Sequence, residues 1–385
     1  MKRLIAVLLT LVLVLSALAA CGGSKKADET IKFGAVLAMT GTNAAGHEYP
    51  IQAIKMAVKH INEAGGLLGK KVELILEDEM ATQQESVTAV QKILARGDIK
   101  VLYHGQVSTN TIAVSPLIKE AKLPYFSSGS SANIFKEGNE WIWQARMTDD
   151  KTGLLFAKAA VENLGMKKPA LIHITDSFGQ GLADVIVPAL KAYGIEPAGV
   201  FSFAVDDIQV GPVVAMALAS GCDGIINVGH DQPTSLVMKE VASQGGTSLP
   251  RIGSSATTSF NTIDLAGDAA EGWYSCADWS VTVKTDAAVK FTEDFKKEYG
   301  REPVFQAAVG YDSYMLFAQA IKAANSTENT KINEQLGKIK GYKGVLTTLT
   351  PNEMRSFAES SYLSQNQRRA DGTIAAIVVD EVRRP

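Results

Sequence analysis

Residues 101–135 read VLYHGQVSTNTIAVSPLIKEAKLPYFSSGSSANIF. Two short apolar runs, 101–103 and 123–126, have strand length, and each opens into small hydroxyl residues. Gln106, Ser108, Thr109, Asn110 and Thr111 follow the first; Ser127, Ser128, Gly129, Ser130 and Ser131 follow the second. Between the loops Ile112, Leu117, Ile118 and Ala121 recur at helical spacing, with Pro116 expected to bend the helix or lie in its first turn. Strand, polar loop and helix, twice over, predict a parallel sheet whose loops leave the carboxyl ends of its strands. Open α/β sheets bind ligands at that edge. Hydroxyl and amide side chains at a helix start cap free N–H groups, and with those groups they can hold a carboxylate. Spacing alone leaves both roles open.

The same alternation runs along the chain. Strands are predicted at 31–37, 72–76, 170–174, 200–203, 224–228 and 251–252, and helical segments at 51–61, 86–94, 154–164, 182–190, 213–218 and 236–241. Ile51, Ile54, Val58 and Ile61 share one helix face, and Gly65-Gly66 ends that helix. The class is α/β with parallel sheets. Past the first 30 residues about 355 remain, more than one ordinary core holds, so two lobes are expected.

The amino terminus changes this picture. Lys2 and Arg3 precede an apolar run, and Leu18-Ala19-Ala20-Cys21 ends it in a pattern that resembles the lipobox of bacterial lipoproteins. That resemblance implies a signal peptide at 1–20, cleavage before Cys21 and lipid on that residue. Residues 21–30 then form a small, charged tether. With 38 basic and 41 acidic residues the net charge is −3; without Lys2 and Arg3 it is 36 − 41, or −5. No basic run points to nucleic acid. Cys222 and Cys276 could pair in an exported protein or remain free thiols. No GxSxG elbow, HExxH pair, paired CxxC or GxGxxG loop occurs, so neither catalytic residues, metal ligands nor a cofactor are expected.

Five stretches then fit one family in order: FGAVLAMTG at 33–41, INEAGGLLGKKVEL at 61–74 followed by Glu77-Asp78, ITDSFGQG at 174–181, AGDAAEGWY at 266–274 and AVGYDSY at 308–314. Together they resemble the type I periplasmic solute-binding proteins of branched-chain amino acid (Leu/Ile/Val-binding) ABC transporters, over essentially 31 to the C-terminus. The resemblance implies two Rossmann-like parallel-sheet lobes joined by three crossovers. The amino lobe would be 31–147 and 279–344, and the carboxyl lobe 148–278 and 345–385. A monomer, anchored outside the bacterial cell membrane through Cys21, would close on a small carboxylate-bearing ligand and deliver it to a permease.

The resemblance also implies a ligand site. Ser108 and the Gly129-Ser130-Ser131 turn match the positions that hold a ligand carboxylate, with Gln106 beside them. Phe178, His230, Ser255 and Gln306 match further contacts, Phe178 and His230 being placed to stack on a flat ligand. The family has an acid at Ser255 that pairs with the ligand ammonium. Either the neighbouring Asp231 takes over that role, or the ligand has no ammonium and is an aromatic or other organic acid. A sensory module for the same ligand is the other alternative. Arg146 is expected in a structural ion pair, His60 and His173 in structural roles, His104 at the border of the cleft, and Tyr311 and Asp312 as possible contributors to it.

Overall fold

The computed structural model describes residues 30–41, 44–80 and 82–383; the expected leader, nearly all of the tether and Cys21 lie outside them. Strand β1 (Ile31–Leu37), α1 (Ala44–Glu63), β2 (Val72–Asp78), α2 (Gln83–Ala95), β3 (Ile99–His104), α3 (Ser108–Ala121), β4 (Tyr125–Ser127) and β5 (Ile142–Trp143) build the first sheet layer. Its strand order is β2-β1-β3-β4-β5, with every pair parallel. Both faces are covered, which is why its strands read as continuous apolar runs. Phe33, Ala35 and Leu37 of β1 enter one core, while Val36 joins Val90, Ile93, Leu102, Val114 and Ile118 in the other.

The second layer starts with α4 (Asp149–Lys158) and continues through β6 (Pro169–Ile174), α5 (Ser177–Ala192), β7 (Gly199–Phe203), α6 (Gly211–Ala219), β8 (Gly224–Val228), α7 (Asp231–Ser243), β9 (Arg251–Gly253), α8 (Phe260–Ala266) and β10 (Tyr274–Ala277). The chain then returns to the first sheet. There α9 (Asp286–Tyr299) and α10 (Phe305–Ala324) follow, α10 lying along α1, and α11 (Asn329–Leu336) packs on α10. A short hairpin, β11 (Tyr342–Lys343) and β12 (Thr348–Leu349), precedes the last passage, and β13 (Ser360–Arg368) and β14 (Ile374–Arg383) end in the second sheet. That sheet runs β14-β13-β10-β9-β8-β6-β7.

Two local expectations change. The second sheet is not wholly parallel: β13 pairs antiparallel with β10 and with β14. The turn between β13 and β14 contains Gly372 at φ 84°, a conformation that glycine adopts without strain. Pro116 lies inside α3, and Ser108, Thr109 and Asn110 form its first turn rather than a loop before it. The N-cap is Val107, which has no side chain able to bond the free N–H groups. Cys222 is half-buried and Cys276 buried, and both are free thiols.

Aromatic rings fill the core between the first sheet and α10. Phe317, fully buried, meets Phe126 at 4.8 Å, Phe33 at 6.1 Å and Tyr314 at 6.3 Å between ring centroids. Asp312 on the same helix accepts the N–H groups of Val345 and Leu346 at 2.9 and 2.8 Å. It therefore ties α10 to the final passage between layers instead of facing a ligand. Phe317→Ala is expected to lower stability by about 3–5 kcal/mol through lost burial and a residual cavity. Urea unfolding followed by circular dichroism would measure it.

Candidate functional site

The carboxyl ends of the two parallel sheets face each other across a cavity of about 290 Å³. From the first layer, Gly46 and His47 reach it after β1, Gln106 and Val107 after β3, Ser130 after β4 and Arg146 after β5. The first turn of α10 adds Phe305 and Gln306. From the second layer come Phe178 after β6, His230 and Asp231 after β8, and Ser255 after β9, with Asn261 and Leu265 of α8 beyond them. Convergence of strand ends is the reason that residues far apart in sequence share one wall.

Of the residues expected at the site, Gln106, Ser130, Phe178, His230, Asp231, Ser255 and Gln306 stand on this wall. Ser108, Gly129 and Ser131 stand immediately behind it. The Ser108 hydroxyl accepts the Ser131 N–H at 3.2 Å, and a Cβ on Gly129 would come within 2.9 Å of the Ser108 Cα. Gly129 thus lets the two hydroxyl loops touch. Ser131 donates its hydroxyl to the Ser177 carbonyl at 3.0 Å, a bond from one layer to the other. Its polar atoms are already engaged, so it shapes the Ser130 turn rather than facing the cavity.

Charge at the site is largely answered inside the protein. Arg146 pairs with Asp278 at 2.5 Å and donates to Ser255 Oγ at 3.0 Å and to the Ser128 carbonyl at 3.2 Å. Ser255, where the family resemblance places an acid, is thereby a partner of an arginine. His230 Nε2 bonds Asp176 Oδ2 at 2.8 Å, and Asp176 also caps α5 by accepting the Phe178 and Gly179 N–H groups. Sequence reasoning passed over Asp176, although an acid just before a helix was a legible cap signal. Burial opposes the charges of both partners, yet the bond between them prevails: His230 is held above its ordinary 6.5 and Asp176 below 3.8. The rings of Phe178 and His230 stack on each other at 5.2 Å, so they form one wall rather than two faces around a flat ligand.

Asp231 is different. Its Oδ2 accepts from Ser259 Oγ at 3.1 Å and Asn261 Nδ2 at 3.4 Å, both neutral. Burial, outweighing these bonds, pushes its carboxyl above the ordinary range. Among the described residues no cationic side chain pairs with it.

The remaining expectations sort simply. His60 bonds the Tyr311 hydroxyl at 2.9 Å and His173 the Ile174 carbonyl at 3.0 Å, both away from the cavity. His104 does not border the cleft: it is fully buried between Tyr125 and Glu79. His47 of α1 also takes a position on the wall. Among the described residues no cluster of acidic, histidine or cysteine side chains could hold a metal, and no helix is long and apolar enough to cross a membrane.

The His230–Asp176 pair has a working window. Asp176 loses its charge as pH falls through its lowered pKa, and His230 loses its charge as pH rises through its raised one. In Asp176→Asn the burial of His230 is left unopposed by its main partner. Its pKa, raised in the native chain, is expected to fall in a histidine-resolved NMR titration.

Residues 30–367 match the family model described as "Periplasmic binding protein". A Leu/Ile/Val-binding protein homolog 1 from Brucella suis is 25% identical over 340 residues, covering 88% of this chain and 90% of the relative. A solved LivJ, the substrate-binding protein of a branched-chain amino acid transporter of Streptococcus pneumoniae, in complex with isoleucine, superposes with a TM-score of 0.83 at 22% identity, covering 91% of this chain and 99% of that one. A solute-binding protein from Rhodopseudomonas palustris, in complex with 3,4-dihydroxybenzoic acid, gives a TM-score of 0.83 at 21% identity over 92% of this chain and 97% of that one. With its opposed parallel sheets and the cavity between their strand ends, the chain belongs to the periplasmic binding protein family, non-enzymatic solute-binding proteins of the ABC transporter type.

Proposed function

We propose that this protein captures a zwitterionic α-amino acid between its two layers and delivers it to a membrane permease. The observation that carries this reading is Asp231, a half-buried carboxylate on the cavity wall with neutral hydrogen-bond partners and, among the described residues, no ion pair of its own, the charge of His230 being paired with Asp176 and acting on it only through space. A charge taken out of water needs a counter-charge, and a ligand ammonium supplies it. The opposite pole is the start of α3. Its N-cap, Val107, lines the cavity and leaves the first-turn N–H groups free of side-chain capping. Among the described residues the N–H of Ser130 has no protein partner either. Neutral donors of this kind hold a carboxylate without requiring an arginine.

Capture works through closure. The Ser131–Ser177 bond and the ion pair of Arg369 with Glu302, 3.0 Å, both run between layers. Opening the cleft breaks them, and ligand contacts made from both sides favour the closed form by their difference in affinity. The closed form, a monomer held to the outer face of the cell membrane by lipid on Cys21, then docks on the permease.

Asp231→Asn is expected to weaken binding of an amino acid by at least about 100-fold, the order of a broken buried charge pair. Binding of the corresponding hydroxy acid, which lacks the ammonium, should change little. Calorimetry with both ligands decides it: equal losses for the two, or a native protein that prefers an aromatic acid, would sink the zwitterion reading. Cys21→Ser should move the protein from the membrane to the soluble fraction on cell fractionation; retention in the membrane would remove the anchor.

A further inference from the structure

The cavity wall carries more hydrogen-bonding capacity than an α-carboxylate and an ammonium can use. Gln306, 1% exposed, has an Oε1 with no partner, and the Nε2 of Gln106 is likewise buried and unpartnered. His47, 3% exposed, stands on the same wall. Its Nδ1 accepts the Ala38 N–H at 2.7 Å, so the proton of the neutral ring is on Nε2. Burial keeps this ring neutral, holding it below 6.5 against the pull of Glu79. No protein group among the described residues bonds that Nε2.

These three side chains belong together in space. Gly310, one turn beyond Gln306, packs on Pro50 and Ile54 of α1, which sets the first turn of α10 beside the turn that carries His47. A Cβ on Gly105, the residue before Gln106, would come within 2.8 Å of His47 Cε1.

We infer that His47, Gln106 and Gln306 form a polar subsite for the ligand side chain, and that the side chain is a carboxamide. This rests on the amino-acid reading above and narrows it. Two donors, His47 Nε2–H and the Gln106 amide, meet the two lone pairs of a carboxamide oxygen. One acceptor, Gln306 Oε1, accepts a hydrogen bond from its NH₂ group. An aliphatic side chain would leave all three unmatched, and sites built around hydrogen bonds reject ligands that cannot make them.

A side-chain carboxylate fits less well. Asp231 is already an unpaired negative group on the wall. Glu79, fully buried behind Gly105, adds a further acid whose Oε1 has no hydrogen-bond partner. Its other oxygen is held by His104 at 2.8 Å and Ser86 at 2.5 Å. A second ligand anion would meet these acids, while the cations on the wall, Arg146 and His230, are already paired with Asp278 and Asp176.

Calorimetric titration of the full chain with asparagine, glutamine, leucine and aspartate tests the subsite. One of the two carboxamide amino acids is expected to bind at least about 100-fold more tightly than leucine, which is similar in size to asparagine, and at least about tenfold more tightly than aspartate. Gln306→Leu should reduce the carboxamide-to-leucine ratio at least about tenfold. That variant is to be compared at matched thermal unfolding, and the native ratio is informative without it. Leucine binding as tightly as the tighter-binding of the two carboxamides overturns the subsite and leaves the zwitterion reading standing. Aspartate binding most tightly overturns the carboxamide assignment. Binding of an amino-free acid in place of all four overturns both readings together.

Discussion

A carboxylate cannot remain out of water without something to balance it, and that constraint organises the cleft. Arg146 is balanced by Asp278 and His230 by Asp176. Asp231 has only Ser259 and Asn261, which orient it without neutralising it. On the proposed reading the balancing charge is brought by the ligand, and closure and ligand choice are then governed by the same atoms.

Around this acid the scaffold is rigid by ordinary means. Parallel strands covered on both faces bring their carboxyl ends to one edge, and the rings around Phe317 hold α10 to the first sheet. Gln306 and Phe305 stand at the cavity end of that same helix, so core packing also places part of the site. The contact of Ser108 with the Gly129-Ser130-Ser131 turn acts in the same way, turning Ser130 toward the cavity while the flanking hydroxyls bond to protein. Family kinship shows the kind of protein this is, and the ligands of its relatives range from isoleucine to a dihydroxybenzoic acid. Specificity is therefore carried by individual wall residues rather than by the fold.

Most of the parallel strands, β5 and β10 excepted, were legible in the apolar runs, because a strand buried on two faces has no polar side to obscure it. The α/β class, the family and seven of the residues on the cavity wall followed from short local patterns and the resemblance they carry. Three kinds of feature did not. The antiparallel β13–β14 ending shows little apolar alternation, since much of β14 is exposed. The first turn of α3 resembled a loop, because Ser, Thr and Asn suit a cap as well as they suit a first turn. His47 and His104 could not be told apart by their neighbours along the chain. One faces the cavity and the other is buried against Glu79 only because β1 and β3 lie side by side.

Local order along the chain thus set which segments are strands, which ends carry polar loops and which residue types stand at those ends. It could not say which polar groups would find partners, since partnership depends on distances between segments far apart in the chain. Folding placed Asp278 against Arg146 and Asp176 against His230, took those four groups out of consideration as open charges, and left Asp231 on the cavity wall without an ion pair. An unanswered charge is a property of the assembled neighbourhood, because it is defined by what does not come near it.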